Sequence, residues 1–182
     1  MSEIVSILAQ AFEKNRSVSF VVKQDSKKDQ RIKLLMVYSL FKAYHFGKVF
    51  MNADKTACAL VVDSSEKRLT FQSLIWDLKL IIQCVGLFNL PRVLKREKIL
   101  KTFHPKGKFY HLWYVGVKPE NQQKGLGTNV LRQILQDCND APIYLETSSE
   151  ENFPFFEKFG FVKVIDLKQD QNILRMYKLE KS

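Results

Sequence analysis

Cysteine and histidine are scarce in this chain of 182 residues, with three of each, and seven Gly and five Pro give it no excess of either. Cys58, Cys84 and Cys138 lie too far apart for a disulfide framework. With so few histidines they offer no zinc-ligand spacing, so the expectation is a metal-free protein of a reduced, cytoplasmic setting. Ordinary Gly and Pro content beside 46% hydrophobic residues excludes collagen-like and disordered chains. No apolar run approaches the roughly 20 residues that cross a bilayer. The best candidate, Leu74 to Leu90, is broken by Asp77, Lys79, Gln83 and Asn89. The opening MSEIVSILAQAF carries Glu3 and no basic stretch, which argues against a signal peptide. What is left is the profile of one soluble globular domain over residues 1–182.

Positive charge is abundant: 29 Lys and Arg stand against 19 Asp and Glu, a net +10. That excess suits an anionic partner or serves solubility. Its clusters at Lys23–Lys33, Arg92–Lys108 and the C-terminal tail form no helical stripe with interleaved aromatics. Nucleic acid is therefore possible but unsupported; no membrane partner is expected, a nucleic-acid or anionic-membrane binder motivated by Arg92–Lys108 stays as an alternative, and a homodimer stays open.

Apolar periodicity predicts helices over Ile4–Phe12 and Ile32–Tyr44, the second stopped by Gly47. Strand-like runs Lys48–Met51 and Thr56–Asp63, joined by Asn52-Ala53-Asp54-Lys55, predict a β-hairpin. Ser73–Phe88 reads as a helix whose apolar face, Leu74, Ile75, Leu78 and Ile82, belongs to the core. Trp76 and the Gly86-Leu87-Phe88 break are the places to look for ligand contact. A very basic helix follows to about Thr102, capped by Asn89 and opened by Pro91. Then come a strand Phe109–Val117, a helix Gly125–Cys138, a strand Ile143–Thr147, a short helix Asn152–Phe159, and strands Phe161–Leu167 and Ile173–Leu179. Helices before and between strands make an α/β, or α+β, layered domain.

The richest stretch is Val115-Gly116-Val117-Lys118-Pro119-Glu120-Asn121-Gln122-Gln123-Lys124-Gly125-Leu126-Gly127-Thr128. A strand ends, and glycines open a helix. Backbone N–H groups can approach a ligand there, and the helix N-terminus carries partial positive charge, so the turn is an anion seat suited to a pyrophosphate. Lys124 adds a point charge. The spacing fits neither a Walker-type loop nor a dinucleotide fingerprint.

Gln122-x-x-Gly125-x-Gly127 after a Val-x-Val-x-Pro strand resembles the acetyl-coenzyme A loop of the GNAT N-acetyltransferases. Tyr144-Leu145-Glu146-Thr147-Ser148, followed by Asn152-Phe153-Pro154-Phe155-Phe156-Glu157-Lys158-Phe159-Gly160-Phe161, resembles the next strand and helix of that family. His45–Phe50, the hairpin and the helical segment before His104-Pro105 are similar to its puromycin N-acetyltransferase-like branch. The resemblance implies a mixed, mostly antiparallel sheet with splayed central strands, flanking helices and a helical insertion before the central strand. It implies acetyl-CoA as co-substrate, no metal, and a cofactor-binding half of about residues 109–165. Main-chain groups of Val115, Gly116 and Val117 would pair with the pantetheine arm, one N–H polarising the thioester carbonyl. Gln122 belongs to the loop motif, and amides of Gln123, Lys124, Gly125, Leu126, Gly127 and Thr128 would hold the pyrophosphate. Asn152 would contact the cofactor, and Phe155 and Phe156 would line its thiol end. Phe156 departs from the Tyr usual in the family and cannot protonate a leaving thiolate.

The implied reaction is acetyl transfer to a primary amine of a small molecule by direct attack. A protein N-acetyltransferase and a non-catalytic CoA-binding regulatory module remain open. For the base, Glu146 at the carboxyl end of a central strand is expected to have a burial-raised pKa. His111 is the other candidate, placed by alternation on one face with Phe109, Trp113 and Val115. The basic Arg92–Lys101 helix disfavours polyamines and points to an uncharged or anionic amine compound.

Overall fold

Strand β2 (Ala57–Asp63) sets the layering, because all seven of its residues are buried. Alternation sends Ala57, Ala59 and Val61 to one face and Cys58 and Leu60 to the other, so both faces must be covered. On the first face lies helix α6 (Leu126–Asp137), through Val130, Leu131 and Ile134. On the second lie α1 (Ser2–Ala11) and α3 (Lys28–Phe46), through Ile7, Leu8, Met36 and Leu40. Apolar burial of this kind is worth about 25 cal/mol per Å² and dominates the stabilisation.

The computed structural model describes residues 2–66, 68–169 and 172–180. Among them the sheet has six strands in the order β1 (Gly47–Met51), β2, β3 (Tyr110–Val117), β4 (Ile143–Thr147), β6 (Asn172–Leu179), β5 (Val162–Gln169). Every neighbouring pair is antiparallel except β3–β4, which is parallel. Short helices α2 (Arg16–Val21) and α7 (Phe153–Lys158) complete the faces, while α4 (Phe71–Leu80) and α5 (Leu90–Phe103) are the insertion before β3. This is the mixed, mostly antiparallel architecture expected from the sequence. No helix among the described residues is long and apolar enough to cross a membrane.

Local chemistry accounts for the joints. Asn52 Oδ1 accepts from the N–H groups of Thr56 and Ala57 at 2.9 and 2.8 Å, closing the β1–β2 hairpin. Gly47 ends α3 in an extended conformation rather than a left-handed one. Its role is close approach: a Cβ there would lie 2.0 Å from the Val61 carbonyl oxygen.

Three local expectations change. Asn89 precedes α5 but makes no capping bond; its Nδ2 donates to the carbonyls of Phe20 and Val21, both at 3.0 Å, tying the insertion to α2. The helix expected over Ser73–Phe88 stops at Leu80, continues as one π turn, Ile81–Val85, and ends at Gly86 with φ 79°. Its Leu74, Ile75, Leu78 and Ile82 are exposed, not core. Polar anchors decide which side turns inward. Thr70 and Ser73 form a capping box, and Asp77 accepts from Tyr38 Oη at 2.7 Å and pairs with Lys42 at 3.0 Å, both from α3.

Gly47→Ala is expected to destabilise the fold by about 1–3 kcal/mol, because β1 must shift away from β2. Denaturant unfolding measures it. An unchanged midpoint would contradict the close approach.

Candidate functional site

Strands β3 and β4 pair only at Tyr110–Ile143 and His111–Tyr144. Beyond that, β3 continues along β2 and β4 along β6, and the two diverge. A bulge helps to bend β3 away: Val61 pairs with Leu112 and Leu60 with Tyr114, leaving Trp113 as the extra residue. The inner edges of β3 and β4 thus flank a wedge with main-chain donors and acceptors that no strand satisfies. A cavity of about 530 Å³ opens along it, walled by Leu112–Val115, by Leu145–Ser148 and by the inner faces of α4 and α5.

The same bulge corrects the side-chain alternation. Phe109 and His111 both meet the ring of His104, but Val115 packs with Leu112 and the α6 cluster instead. Tyr114 joins the α1/α3 cluster, edge-on to Phe12.

At the far end of β3 a 3-10 turn, Pro119–Asn121, leads into an exposed loop. Gln123 (φ 60°) and Gly125 (φ 76°) are both left-handed, and Gly125 is the N-cap of α6. Asn129 N–H is the first to bond back, to the Gly125 carbonyl at 3.1 Å. The amides of Gln123 to Thr128 therefore donate to no acceptor among the described residues. A Cβ on Gly125 would meet nothing within 4 Å, so the space in front of these amides is open. Lys124 Nζ donates to the Glu120 carbonyl at 3.0 Å, and Gln122 Nε2 to that of Val117 at 3.4 Å. The loop has the form of an anion cradle.

The wedge brings together His111, Val115, Glu146, Asn152 and Phe156, all of which line the cavity. Phe155 does not; it packs against Phe156 and Phe159. Gly116 faces α1, where Leu8 leaves no room for a Cβ, and loop residues Gln122 to Thr128 lie outside the cavity wall. Phe156 sits among the rings of Phe155, Phe161 and Tyr177.

At the vertex of the wedge, His111 Nε2 lies 2.6 Å from Glu146 Oε2. His104, at the C-terminal end of α5, brings its Nε2 to 3.4 Å from Glu146 Oε1. All three side chains are 11–13% exposed. Glu146 Oε1 and His104 Nε2 lack a hydrogen-bond partner among the described residues. Burial pushes the Glu146 carboxyl up, but attraction to His111 and the contacts of both imidazoles outweigh it and hold the group below the ordinary carboxylate range. The raised carboxyl expected from burial alone is thus corrected: the carboxylate stays anionic between two imidazoles. His104 carries no spacing signal in the sequence, since α5 brings it back across the sheet to residues that follow it.

Other reactive groups are quiet. Burial pushes the Cys58 and Cys84 thiols up to about 12, away from thiolate chemistry at neutral pH. Burial also raises the Tyr114 phenol to about 12; it lines the cavity as a neutral hydroxyl. Tyr144 packs with Leu100, Phe109 and Met176 instead. No group of three His, Cys, Asp or Glu side chains among the described residues is arranged to hold a metal ion.

Residues 100–182 match the family model of the acetyltransferase (GNAT) domain. An uncharacterised N-acetyltransferase of Schizosaccharomyces pombe is 42% identical over 55 residues, which is 29% of this chain and 22% of that protein. The chain thus matches about a fifth of that relative's length. A solved structure described as histone acetyltransferase HPA2 and related acetyltransferase, from Corynebacterium glutamicum, superposes with a TM-score of 0.73 at 17% identity, covering 100% of this chain and 91% of its own. Arylalkylamine N-acetyltransferase 2 from Aedes aegypti superposes at 0.66 with 13% identity, covering 100% and 94%. At such identities these structures show the fold alone. Residues 100–182 thus match the acetyltransferase (GNAT) domain model, and the chain as a whole shares the fold of these structures.

Proposed function

We infer that this protein is an N-acetyltransferase that moves acetyl from acetyl-CoA to the primary amine of a small molecule, within one domain whose cofactor half is about residues 109–165. The observation that carries the reading is the β3–β4 wedge running from open amides at Gln123–Thr128 to the buried His111–Glu146 pair. The helical insertion ahead of β3 supports the puromycin N-acetyltransferase-like branch.

Acetyl-CoA supplies the activated acetyl thioester. Its diphosphate suits the open amides of Gln123–Thr128 with Lys124 beside them, and its extended arm suits the unsatisfied edge of β3 at Val115–Val117. Asn152 and Phe156 would border the thiol end. An N–H of β3 in the gap would polarise the acetyl carbonyl as a preorganised dipole.

The attacking amine must lose a proton. With Nε2–H of His111 donated to Glu146, Nδ1 is the ring nitrogen left to accept a proton. His111 Nδ1 takes the proton, and Glu146 fixes the tautomer and stabilises the resulting imidazolium. The carboxylate would then work through His111 rather than as the base itself. Phe156 cannot protonate the departing thiolate, whose ordinary thiol pKa of about 8.5 makes it a fair leaving group without help. The quiet thiols of Cys58 and Cys84 favour direct attack over an acyl-cysteine step.

The acceptor end is roofed by α4 and α5, with Leu80, Ile81, Val93 and Leu100 among its walls. A roofed, largely apolar cavity suits a small amine on an apolar body better than a polypeptide segment. A CoA-binding regulatory module is the second reading, favoured by Phe156, and turnover with a panel of amines separates the two.

Gly125→Val places a branched side chain in the open space before the amides. It is expected to weaken acetyl-CoA binding about tenfold or more in calorimetry. Unchanged affinity would refute the placement of the loop. Glu146→Gln is expected to lower kcat about 100-fold, the scale of general base catalysis, with little change in acetyl-CoA affinity. His111→Asn should match it, and the double variant should lose no more than either alone. Additive losses would show that the two residues act separately.

A further inference from the structure

Helices α4 and α5 turn one side to the cavity, and nothing among the described residues covers the other side of α4. Phe71, Leu74, Ile75, Leu78 and Ile82 recur at helical spacing and are 52–81% exposed. Leu87 and Phe88, just past the π turn, are exposed as well. These seven side chains fall within 18 residues and make up half of the fourteen exposed large hydrophobics among the described residues. Patches of this kind mark an interaction surface.

The surrounding charge indicates what covers it. Residues 68–108 hold nine Lys and Arg against two Asp and Glu, a net +7 of the chain's +10. Both acids are engaged, Asp77 with Lys42 and Glu97 with Arg96. Lys79 on α4 and Lys95 and Lys98 on α5 are exposed and lie outside the cavity wall, whereas Lys101 lines the cavity. An apolar helical stripe with a cationic fringe is the arrangement of a helix that lies in the headgroup region of an acidic bilayer. A second copy fits poorly, because an isologous contact would set one cationic fringe against another. Nucleic acid fits poorly too, because the stripe is mainly Leu and Ile and offers bases little to stack on.

We propose that the outer face of α4, with the outer side of α5 at Lys95 and Lys98, docks this protein on an anionic lipid bilayer. The α4 stripe enters the acyl boundary and the lysine fringe meets lipid phosphates and carboxylates. The proposal does not rest on the acetyltransferase reading, since docking needs neither cofactor nor turnover.

The test is co-sedimentation of the full chain with phosphatidylcholine vesicles, with and without phosphatidylserine. The expected result is pelleting with the phosphatidylserine vesicles that weakens as salt rises. Leu74→Asp with Leu78→Asp, and separately Lys95→Glu with Lys98→Glu, should each reduce partitioning about tenfold or more at an unchanged melting temperature. Failure to pellet at low salt would overturn the proposal, as would pelleting indifferent to Leu74→Asp with Leu78→Asp. So would a dimer in sedimentation equilibrium that this pair of substitutions splits, or retention on RNA without retention on vesicles.

Discussion

Parallel strands β3 and β4 begin side by side at Tyr110–Ile143 and His111–Tyr144 and then part, and most of what is distinctive here depends on that separation. A parallel pair normally continues its evenly spaced ladder. Here the extra residue at Trp113 bends β3, while β4 remains committed to β6 through Thr147. The cost is an unsatisfied edge in the middle of a sheet. What is gained is a slot that can take an extended ligand by main-chain bonding, with side chains at its vertex and a helix N-terminus at its mouth.

Electrostatics along this slot change from end to end. At the mouth, exposed amides and Lys124 favour an anion. At the vertex, Glu146 is buried yet anionic, held so by His111 and His104. A lone buried carboxylate would protonate; flanked by imidazoles it can instead orient one of them and stabilise its charged form. Glu146 Oε1 and His104 Nε2 face each other at 3.4 Å, buried and without a hydrogen-bond partner among the described residues. Phe156 contributes an apolar ring to the cavity wall.

Between Phe109 and Phe161 the elements are legible in the sequence because each has a local signal. Pro119 and Gly125 bracket the turn, Val130, Leu131 and Ile134 give α6 its stripe, and Pro154 opens α7. The anion cradle is legible for the same reason. What local signals do not carry is the wedge, since it arises from a non-local parallel pair, and the bulge at Trp113, which overturns simple alternation beyond His111. Asn89 sits where a cap belongs but is claimed by the carbonyls of α2. On α4, apolar spacing marks one face correctly and its environment wrongly. Asp77 and Ser73, polar by composition, find partners inside, and the apolar face is left facing solvent. His104 joins the vertex only through the course of α5.

The central claim is that an extended anionic thioester enters between β3 and β4 with its diphosphate on the Gln123–Thr128 amides. Titration of nitrogen-labelled protein with coenzyme A, followed by two-dimensional amide NMR, tests it most directly. The account predicts that the largest, saturable shifts fall on residues 115–117 and 123–128. Saturable binding whose largest shifts fall elsewhere, with those amides unmoved, would contradict it.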